Sequence, residues 1–136
     1  MNSLQVNDLM DHQPLTVSAN IGVIVALRQL LKKGLSAAPV VNDEGELQGI
    51  LSEADCMKGT LLGGYFEQIG ELVSHRMSTT VCTVTPDTDL VSAAKIMLDN
   101  KRRVLPVVES GKVVGLLTRT KVLAEIMERI DSPSHA

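Results

Sequence analysis

A hydroxyl and a carboxylate stand three residues apart in this chain, as Ser52 and Asp55, directly after the apolar run Gly49-Ile50-Leu51. At the start of a helix, this spacing lets each side chain accept a hydrogen bond from the backbone N–H of the other residue. A related run occurs later, with Thr118 and Lys121 in the corresponding positions. Because an ammonium group cannot accept a hydrogen bond, we expect the two runs to differ in what they can bind.

The cysteines and histidines do not have the spacing of a catalytic or metal site. Cys56 and Cys82 are far apart in the sequence, and His12, His75 and His135 show no metal-ligand spacing. We interpret the cysteines as buried thiols, assign the histidines no chemistry and expect no metal. The sequence also contains no Walker-type glycine loop, no nucleophile elbow and no zinc-protease motif. It therefore gives little support to catalysis.

The chain contains an internal repeat. The run Ala38-Pro39-Val40-Val41 corresponds to Leu105-Pro106-Val107-Val108 at a spacing of 67 residues, and Gly49 corresponds to Gly115 at a spacing of 66. The difference of one residue falls in the predicted turn at 42–45, where gaps are tolerated. Because an isolated unit of about 60 residues buries only ~60% of its unfolded surface, we expect the two copies to share one core.

Each copy is predicted to fold as β-α-β-β-α, which makes the chain a mixed α/β protein. In the first copy we expect a strand at 15–17, a helix capped by Asn20 and ended by Gly34, strands at 38–41 and 46–51, and a helix opened by Ser52. In the second copy we expect a strand at 82–84, a helix at 89–100, strands at 105–109 and 112–117, and a long last helix. Leu31 and Leu98 are predicted to lie on the buried faces of their helices.

Charge and hydropathy exclude two classes of partner. The net charge is −3, and the basic residues group at predicted helix ends, as in Lys101-Arg102-Arg103, where cations complement the helix dipole. We therefore expect no nucleic-acid binding. Since no apolar run approaches about 18 residues and no leader pattern opens the chain, we expect a cytoplasmic protein that does not contact the membrane.

The order of these elements, their duplication and the Pro-Val-Val run before each hairpin resemble a CBS domain pair, also called a Bateman module. The resemblance covers about residues 4–130. It implies tandem β-α-β-β-α repeats packed about a pseudo-twofold axis. It divides the chain into a first motif at 1–62, a crossover at 63–72, a second motif at 73–130 and a flexible tail at 131–136. Tyr65 and Phe66 of the crossover are interpreted as core filler, with a contact surface as the alternative.

In this family the motif Gly-apolar-apolar-Ser/Thr-x-x-Asp holds a ribose, and the first copy contains it complete from Gly49 to Asp55. The resemblance implies that Ser52 and Asp55 bind the ribose of an adenosine ligand, because a carboxylate can accept hydrogen bonds from both hydroxyls of a cis-diol. The second copy has Lys121 where the family has that aspartate, so we predict one good site per chain. The alternative is that Ser52 and Asp55 only cap the helix.

The resemblance also assigns the rest of the cleft. It implies a base pocket of Ile50, Met77, Val81 and Cys82, and phosphate or rim cations at Arg102, Arg103, Arg119 and Lys121. Aliphatic side chains can enclose a purine by dispersion and burial, so the scarcity of aromatic residues does not argue against binding. The alternative interprets Val81 and Cys82 as strand core and the two adjacent arginines as helix-end charges.

The function implied is a regulatory module, not an enzyme, which binds AMP, ADP, ATP or a ligand like S-adenosylmethionine. Occupancy of the cleft would be signalled to a separate partner protein. Homodimers are expected, since the apolar helices of two small copies leave faces to cover. No obligatory cofactor is expected. The alternative is a dimerisation or scaffold protein whose clefts stay empty.

Overall fold

Two similar sets of elements follow one another along the chain in the computed structural model, which describes residues 4–63 and 70–132. The first set contains α1 (Val6–Leu9), β1 (Val17–Ser18), α2 (Val23–Lys33), β2 (Ala37–Val41), β3 (Leu47–Ser52) and α3 (Glu53–Gly63). The second set contains α4 (Val73–Arg76), α5 (Leu90–Asp99), β4 (Val104–Glu109), β5 (Lys112–Thr118) and α6 (Arg119–Asp131). The predicted mixed α/β class and the tandem repeat are confirmed. Tyr65, Phe66 and residues 133–136 of the predicted tail lie outside the described residues.

The two β-hairpins have the same register. Strand β2 pairs antiparallel with β3, with Pro39 opposite Ile50, and β4 pairs antiparallel with β5, with Pro106 opposite Leu116. Strand β1 adds to the first sheet by pairing parallel with β2. Each hairpin turn contains a glycine at a φ of +80°, Gly45 and Gly111, in the left-handed region that favours glycine. The repeat seen in the sequence is therefore also a repeat of backbone geometry.

Two sequence-based predictions are wrong: the first strand of the second copy and the N-terminal cap of α2 in the first copy. The segment at 82–84 is not a strand, because its only β-pairing is an isolated parallel bridge between Val84 and Val107. Asn20 does not cap α2: it lies in a turn where its N–H donates to Ser18 Oγ at 3.1 Å, and the N-cap is Gly22. The predicted stop at Gly34 is confirmed, with a φ of +66°. Lys101 occupies the equivalent position in the second copy and takes a φ of +54°.

The buried faces of α2 and α5 are narrower than the sequence pattern predicts. Ala26 and Leu30 in α2, and the equivalent Ala93 and Met97 in α5, are buried. Leu31 is 59% exposed and Leu98 is 78% exposed, so their predicted burial is wrong. Helical periodicity identifies an apolar stripe, but the neighbours that cover it determine how much of its width is buried. Both copies leave the same leucine position uncovered.

The predicted core is shared by the two copies, but it is divided into two large clusters, one around the long helix of each copy, and a smaller one between the sheets. The short helices at the start of the two copies are exchanged: Val6 and Met10 from α1 and its C-cap pack in the second core, and Val73 from α4 packs in the first. A smaller apolar cluster joins the two sheets, and it contains Ala37, Ile50, Val104 and Leu116. The copies are therefore connected by exchanged segments and by contact between the sheets.

The exchanged segments cross the second strand of each hairpin at a glycine. Ile50 and Ser78 form an antiparallel bridge with two N–H···O bonds of 2.9 Å. A Cβ on the neighbouring Gly49 would lie 2.6 Å from the Ser78 carbonyl oxygen. In the second copy, a Cβ on Gly115 would lie 2.5 Å from the sulfur of Met10. Each crossing therefore needs a residue without a side chain.

Candidate functional site

Ser52 and Asp55 meet at the point where β3 ends and α3 begins. The Asp55 N–H donates to Ser52 Oγ at 3.0 Å, and the Ser52 N–H donates to Asp55 Oδ2 at 3.4 Å. The predicted reciprocal cap is confirmed. The second contact is long, and a carboxylate has about four acceptor positions, so the cap leaves Asp55 acceptor capacity for the hydroxyls of a ligand. Both residues are half-buried.

The start of α6 contains only half of this arrangement. Thr118 accepts a hydrogen bond from the Lys121 N–H at 3.2 Å, and Lys121 is exposed. The third residue of this helix is a lysine, and its side chain cannot accept a hydrogen bond from the Thr118 N–H in return. The two helix starts are thus equivalent in backbone and different in chemistry.

The residues assigned to the base pocket are divided among the apolar clusters. Ile50 belongs to the cluster between the sheets, and Val81 packs against it. Met77 packs against the first core and lies over Gly49, next to Ile50. Cys82 packs against the second core and is half-buried. The structure brings Ile50, Met77 and Val81 together around β3, with Cys82 on the side of the second copy.

A cavity of about 430 Å³ lies where the two copies meet. Two of the predicted cations, Arg103 and Arg119, line it together with Glu53, the first residue of α3. Its other lining residues are Leu31, Gly34, Leu35, Ser36, Val104, Thr118 and Thr120. Lys121 and Arg102 do not line this cavity. Ser36 and Glu53 were not predicted to lie at the site, although the internal repeat pairs them with Arg103 and Arg119.

A second cavity, of about 470 Å³, lies between α5 and α6. Its walls are mainly apolar, with Met97, Leu98 and Val122 among them, and Lys101, Arg102, Arg103 and Arg119 supply cations. The Nε of Arg102 is buried and has no hydrogen-bond partner in the part of the chain that the structure describes. Neither Ser52 nor Asp55 lines either of these two cavities.

Cys56 follows Asp55 on α3 and has the chemistry of an inert thiol. It is 2% exposed, and burial raises its pKa to about 11, with the neighbouring Asp55 charge as the second cause. A protonated thiol is a poor nucleophile. The predicted burial is confirmed for Cys56, whereas Cys82 is half-buried. Among the described residues, no three His, Cys, Asp or Glu side chains are grouped to hold a metal ion, and no helix is long and apolar enough to cross a membrane.

Comparisons with known proteins identify the same repeat. The family model described as "CBS domain" matches twice, at residues 6–61 and 69–128. The A-adding tRNA nucleotidyltransferase of Aquifex aeolicus is 34% identical over 94% of this chain, which spans only 15% of that protein. Two further curated relatives are also longer than this chain, which covers 40% of the length of one and 23% of the length of the other.

Solved structures extend the likeness to the whole fold. CBSX2 of Arabidopsis thaliana, solved in complex with AMP, is 30% identical, with a TM-score of 0.79 over 91% of this chain and 96% of that one. The CBS domain pair of protein MJ0100, solved with 5′-methylthioadenosine and S-adenosyl-L-methionine, is 25% identical, with a TM-score of 0.77 over 91% of this chain and 99% of that one.

Proposed function

The chain belongs to the CBS domain family, and from this premise we propose that it is a regulatory module which binds an adenosine-containing ligand between its two CBS motifs. Occupancy of this site changes how the two motifs pack and is detected by a separate partner protein. The complete motif from Gly49 to Asp55 at the start of α3 is the observation that carries the proposal. Ligands in the solved relatives, AMP in one and adenosyl compounds in another, support the same ligand class.

Each predicted residue has a role in this proposal. Asp55 accepts hydrogen bonds from the ribose hydroxyls, and Ser52 holds the turn and donates its hydroxyl. The base lies against Ile50, Met77, Val81 and Cys82. Arg103 and Arg119 contact the charged end of the ligand, since both line the cavity between the copies. Arg102 and Lys121 contribute positive charge at the rim.

We infer that the module is not an enzyme. The thiol of Cys56 is protonated at neutral pH, and the described residues offer no metal-binding group. The charged side chains of the cavity fit recognition better than bond breaking, since none is paired with a nucleophile. We also infer that the chain forms homodimers through its uncovered apolar helix faces. Among the residues whose burial the structure describes, the exposed large apolar side chains are those of Val25, Leu31, Met57, Val91, Leu98, Leu123, Ile126, Met127 and Ile130.

Thermal unfolding with a ligand panel tests this proposal. The panel contains AMP, ADP, ATP, S-adenosylmethionine and 5′-methylthioadenosine, with GMP as the base control. A ligand at 100 times its Kd adds about 2.7 kcal/mol of stability, which raises the unfolding temperature by on the order of 10 °C for a domain of this size. We expect an adenosine-selective rise that is lost in Asp55→Ala.

The matched control is Asp89→Ala. Asp89 caps α5 by accepting a hydrogen bond from the Ser92 N–H at 3.2 Å. Its replacement by alanine therefore removes a helix cap and leaves the residues of the proposed ribose site unchanged. Asp89→Ala is expected to lower the stability of the ligand-free protein and keep the full ligand response. If no adenosine compound shifts unfolding, the scaffold alternative replaces the proposal.

A further inference from the structure

The cavity between α5 and α6 has apolar walls and a positively charged end. Its volume of about 470 Å³ is that of a small-molecule site. The charged end consists of Lys101, Arg102 and Arg103, which follow α5, and Arg119, the first residue of α6. Among the described residues, no acidic side chain lines this cavity. Each helix supplies three residues to the apolar walls, which are Ala94, Met97, Leu98, Val122, Leu123 and Ile126.

The four cations of this cavity have no anionic partner within the described part of the chain. None of Lys101, Arg102, Arg103 and Arg119 forms an ion pair or a side-chain hydrogen bond there. The Nε of Arg102 is buried and its N–H has no acceptor. Because a buried donor without a partner is destabilising, a bound anion that accepts from Arg102 would remove this cost. The charged end of the cavity therefore favours a negatively charged group.

The first copy has no cation at any of the four corresponding positions. The internal repeat places there Gly34, Leu35, Ser36 and Glu53. The change from glycine to lysine also strains the backbone, because Lys101 takes a φ of +54°, in the left-handed region where Gly34 lies at +66°. Residues with a side chain rarely adopt this conformation, and strain of this kind is found where a side chain has a function. The second copy thus keeps a lysine where a glycine would be more stable.

The walls of the cavity favour a ligand body without polar groups. Both walls are helices, whose backbone N–H and C=O groups are paired along the helix, and the side chains that cover them are apolar. A purine in this position would bury ring nitrogens and an amino group without hydrogen-bond partners, which is costly. A hydrocarbon body has no such cost and gains from burial. This cavity therefore differs in chemistry from the proposed adenosine site.

The length of the apolar part follows from the geometry of α6. Seven residues separate Arg119, at the charged end, from Ile126, which corresponds to about 10 Å along the helix axis. We propose that this cavity binds a medium-chain monocarboxylate, with its carboxylate on Lys101 and Arg102 and its hydrocarbon chain between α5 and α6. The inference goes beyond the proposed function and does not depend on it, because neither Ser52 nor Asp55 lines this cavity.

Titration calorimetry with octanoate tests the inference, and octylamine and acetate are the matched ligands. Octylamine has the same chain with the opposite charge, and acetate has the same carboxylate without the chain. We expect octanoate to bind the wild-type protein at least tenfold more tightly than either. Charge-assisted hydrogen bonds to the carboxylate and burial of the methylene groups are the reasons for this order.

The variants Lys101→Gly and Arg102→Leu replace two of the cations by the residues of the first copy. Each is expected to weaken octanoate binding at least fivefold. Lys101→Gly should do so without lowering the unfolding temperature, since glycine adopts the left-handed conformation without strain. This combination distinguishes a binding role of the lysine from a structural one. Lys95→Gln is the matched control, because Lys95 is an exposed lysine of α5 that does not line the cavity, and it should bind octanoate as the wild-type protein does.

Three results would overturn the inference. The first is equal affinity for octanoate and octylamine, and the second is an unchanged octanoate affinity in both cation variants. The third concerns a second copy of the chain as the competing occupant: octanoate that bound only at concentrations too low for dimers would show that the partner copy fills the cavity. None of these results bears on the adenosine site, whose test is the loss of the ligand response in Asp55→Ala.

Discussion

Glu46 and Lys112 form an antiparallel bridge although they occupy the same position in the two repeats. The bridge is made by two backbone hydrogen bonds of the flanking residues: the Leu47 N–H donates to the Gly111 carbonyl at 3.1 Å, and the Val113 N–H donates to the Gly45 carbonyl at 3.0 Å. A contact between equivalent positions lies on the axis that relates the copies. The pseudo-twofold axis therefore passes between these residues. Their opposite charges favour this pairing, whereas two identical charged residues in these positions would repel each other.

Replacement of Gly49 tests the crossing of the exchanged segment over β3. In Gly49→Ala the new methyl group would meet the Ser78 carbonyl oxygen at 2.6 Å, and that oxygen already accepts the Ile50 N–H. Because backbone must move, we expect a loss of about 2 kcal/mol in unfolding free energy, measured by urea denaturation. Gly115→Ala should cost less, since the nearest atom there is the sulfur of the more adaptable Met10 side chain.

Gly70→Ala is the control for this measurement, because no atom of the described residues lies within 4 Å of a Cβ at that position. We expect its unfolding free energy to stay within about 0.5 kcal/mol of the wild-type value. Equal losses for Gly49→Ala and Gly70→Ala would contradict the close crossing.

The ion pair between Glu71 and Arg76 should make stability depend on pH. Arg76 Nη2 donates to Glu71 Oε1 at 2.6 Å, and a second bond runs from Nε to Oε2. This hydrogen bonding lowers the pKa of the Glu71 carboxyl below its ordinary value. A lowered folded-state pKa gives stability that is complete above the ordinary glutamate pKa and is lost as the pH falls through the lowered value.

The variant Glu71→Gln removes this contribution. We expect its deficit in unfolding free energy, relative to the wild-type protein, to be present at pH 7 and to shrink as the pH is lowered through the acidic range. Added salt should reduce the deficit at pH 7, because the pair is partly exposed to solvent. A deficit independent of pH would show that the ion pair does not contribute in this way.

The two thiols should react at very different rates in the folded protein. Cys56 is buried and has a pKa of about 11, whereas Cys82 is half-buried. With iodoacetamide at pH 8 we expect Cys82 to react in the native state and Cys56 to react only after denaturation, as followed by mass spectrometry. Cys82→Ser is the control that should leave no thiol reactive in the native protein.

The same reaction tests the proposed base pocket. If the adenine lies against Cys82, a saturating adenosine ligand should slow its alkylation severalfold. GMP at the same concentration should not slow it. Equal rates with and without the adenosine ligand would place Cys82 outside the site.

The exposed leucine of α5 is expected to lie in a contact between two copies of the chain. Leu98→Glu should weaken the dimer, because a carboxylate in a closely packed apolar contact loses its hydration. Light scattering is expected to give twice the chain mass of 14.6 kDa for the wild-type protein, and the chain mass itself for the variant at low micromolar concentration. Lys95→Glu, an exposed change of charge on the same helix, should stay dimeric. A wild-type monomer at every concentration would contradict this prediction.

Local features of the fold were predictable from sequence because they depend on neighbours in the chain. Glycines allow the two hairpin turns at Gly45 and Gly111, Gly34 ends α2, and the reciprocal cap of Ser52 and Asp55 is formed by residues three positions apart. The internal repeat also made the β-hairpin strands and the order of the elements predictable. These features were sufficient to identify the family, and with it the position of the candidate ribose site.

The way in which the two copies are joined depends on contacts between distant parts of the chain and was not predictable from local patterns. The exchange of α1 and α4, the crossing of Ser78 over Gly49 and the pairing of Glu46 with Lys112 join segments that are far apart in the sequence, which therefore carries no local signal for them. For the same reason, periodicity could not reveal that Leu31 and Leu98 would stay uncovered, or that Glu53 would share a cavity with Arg103 and Arg119. Local sequence patterns specify the repeated unit, whereas long-range packing shapes the cavity between its two copies.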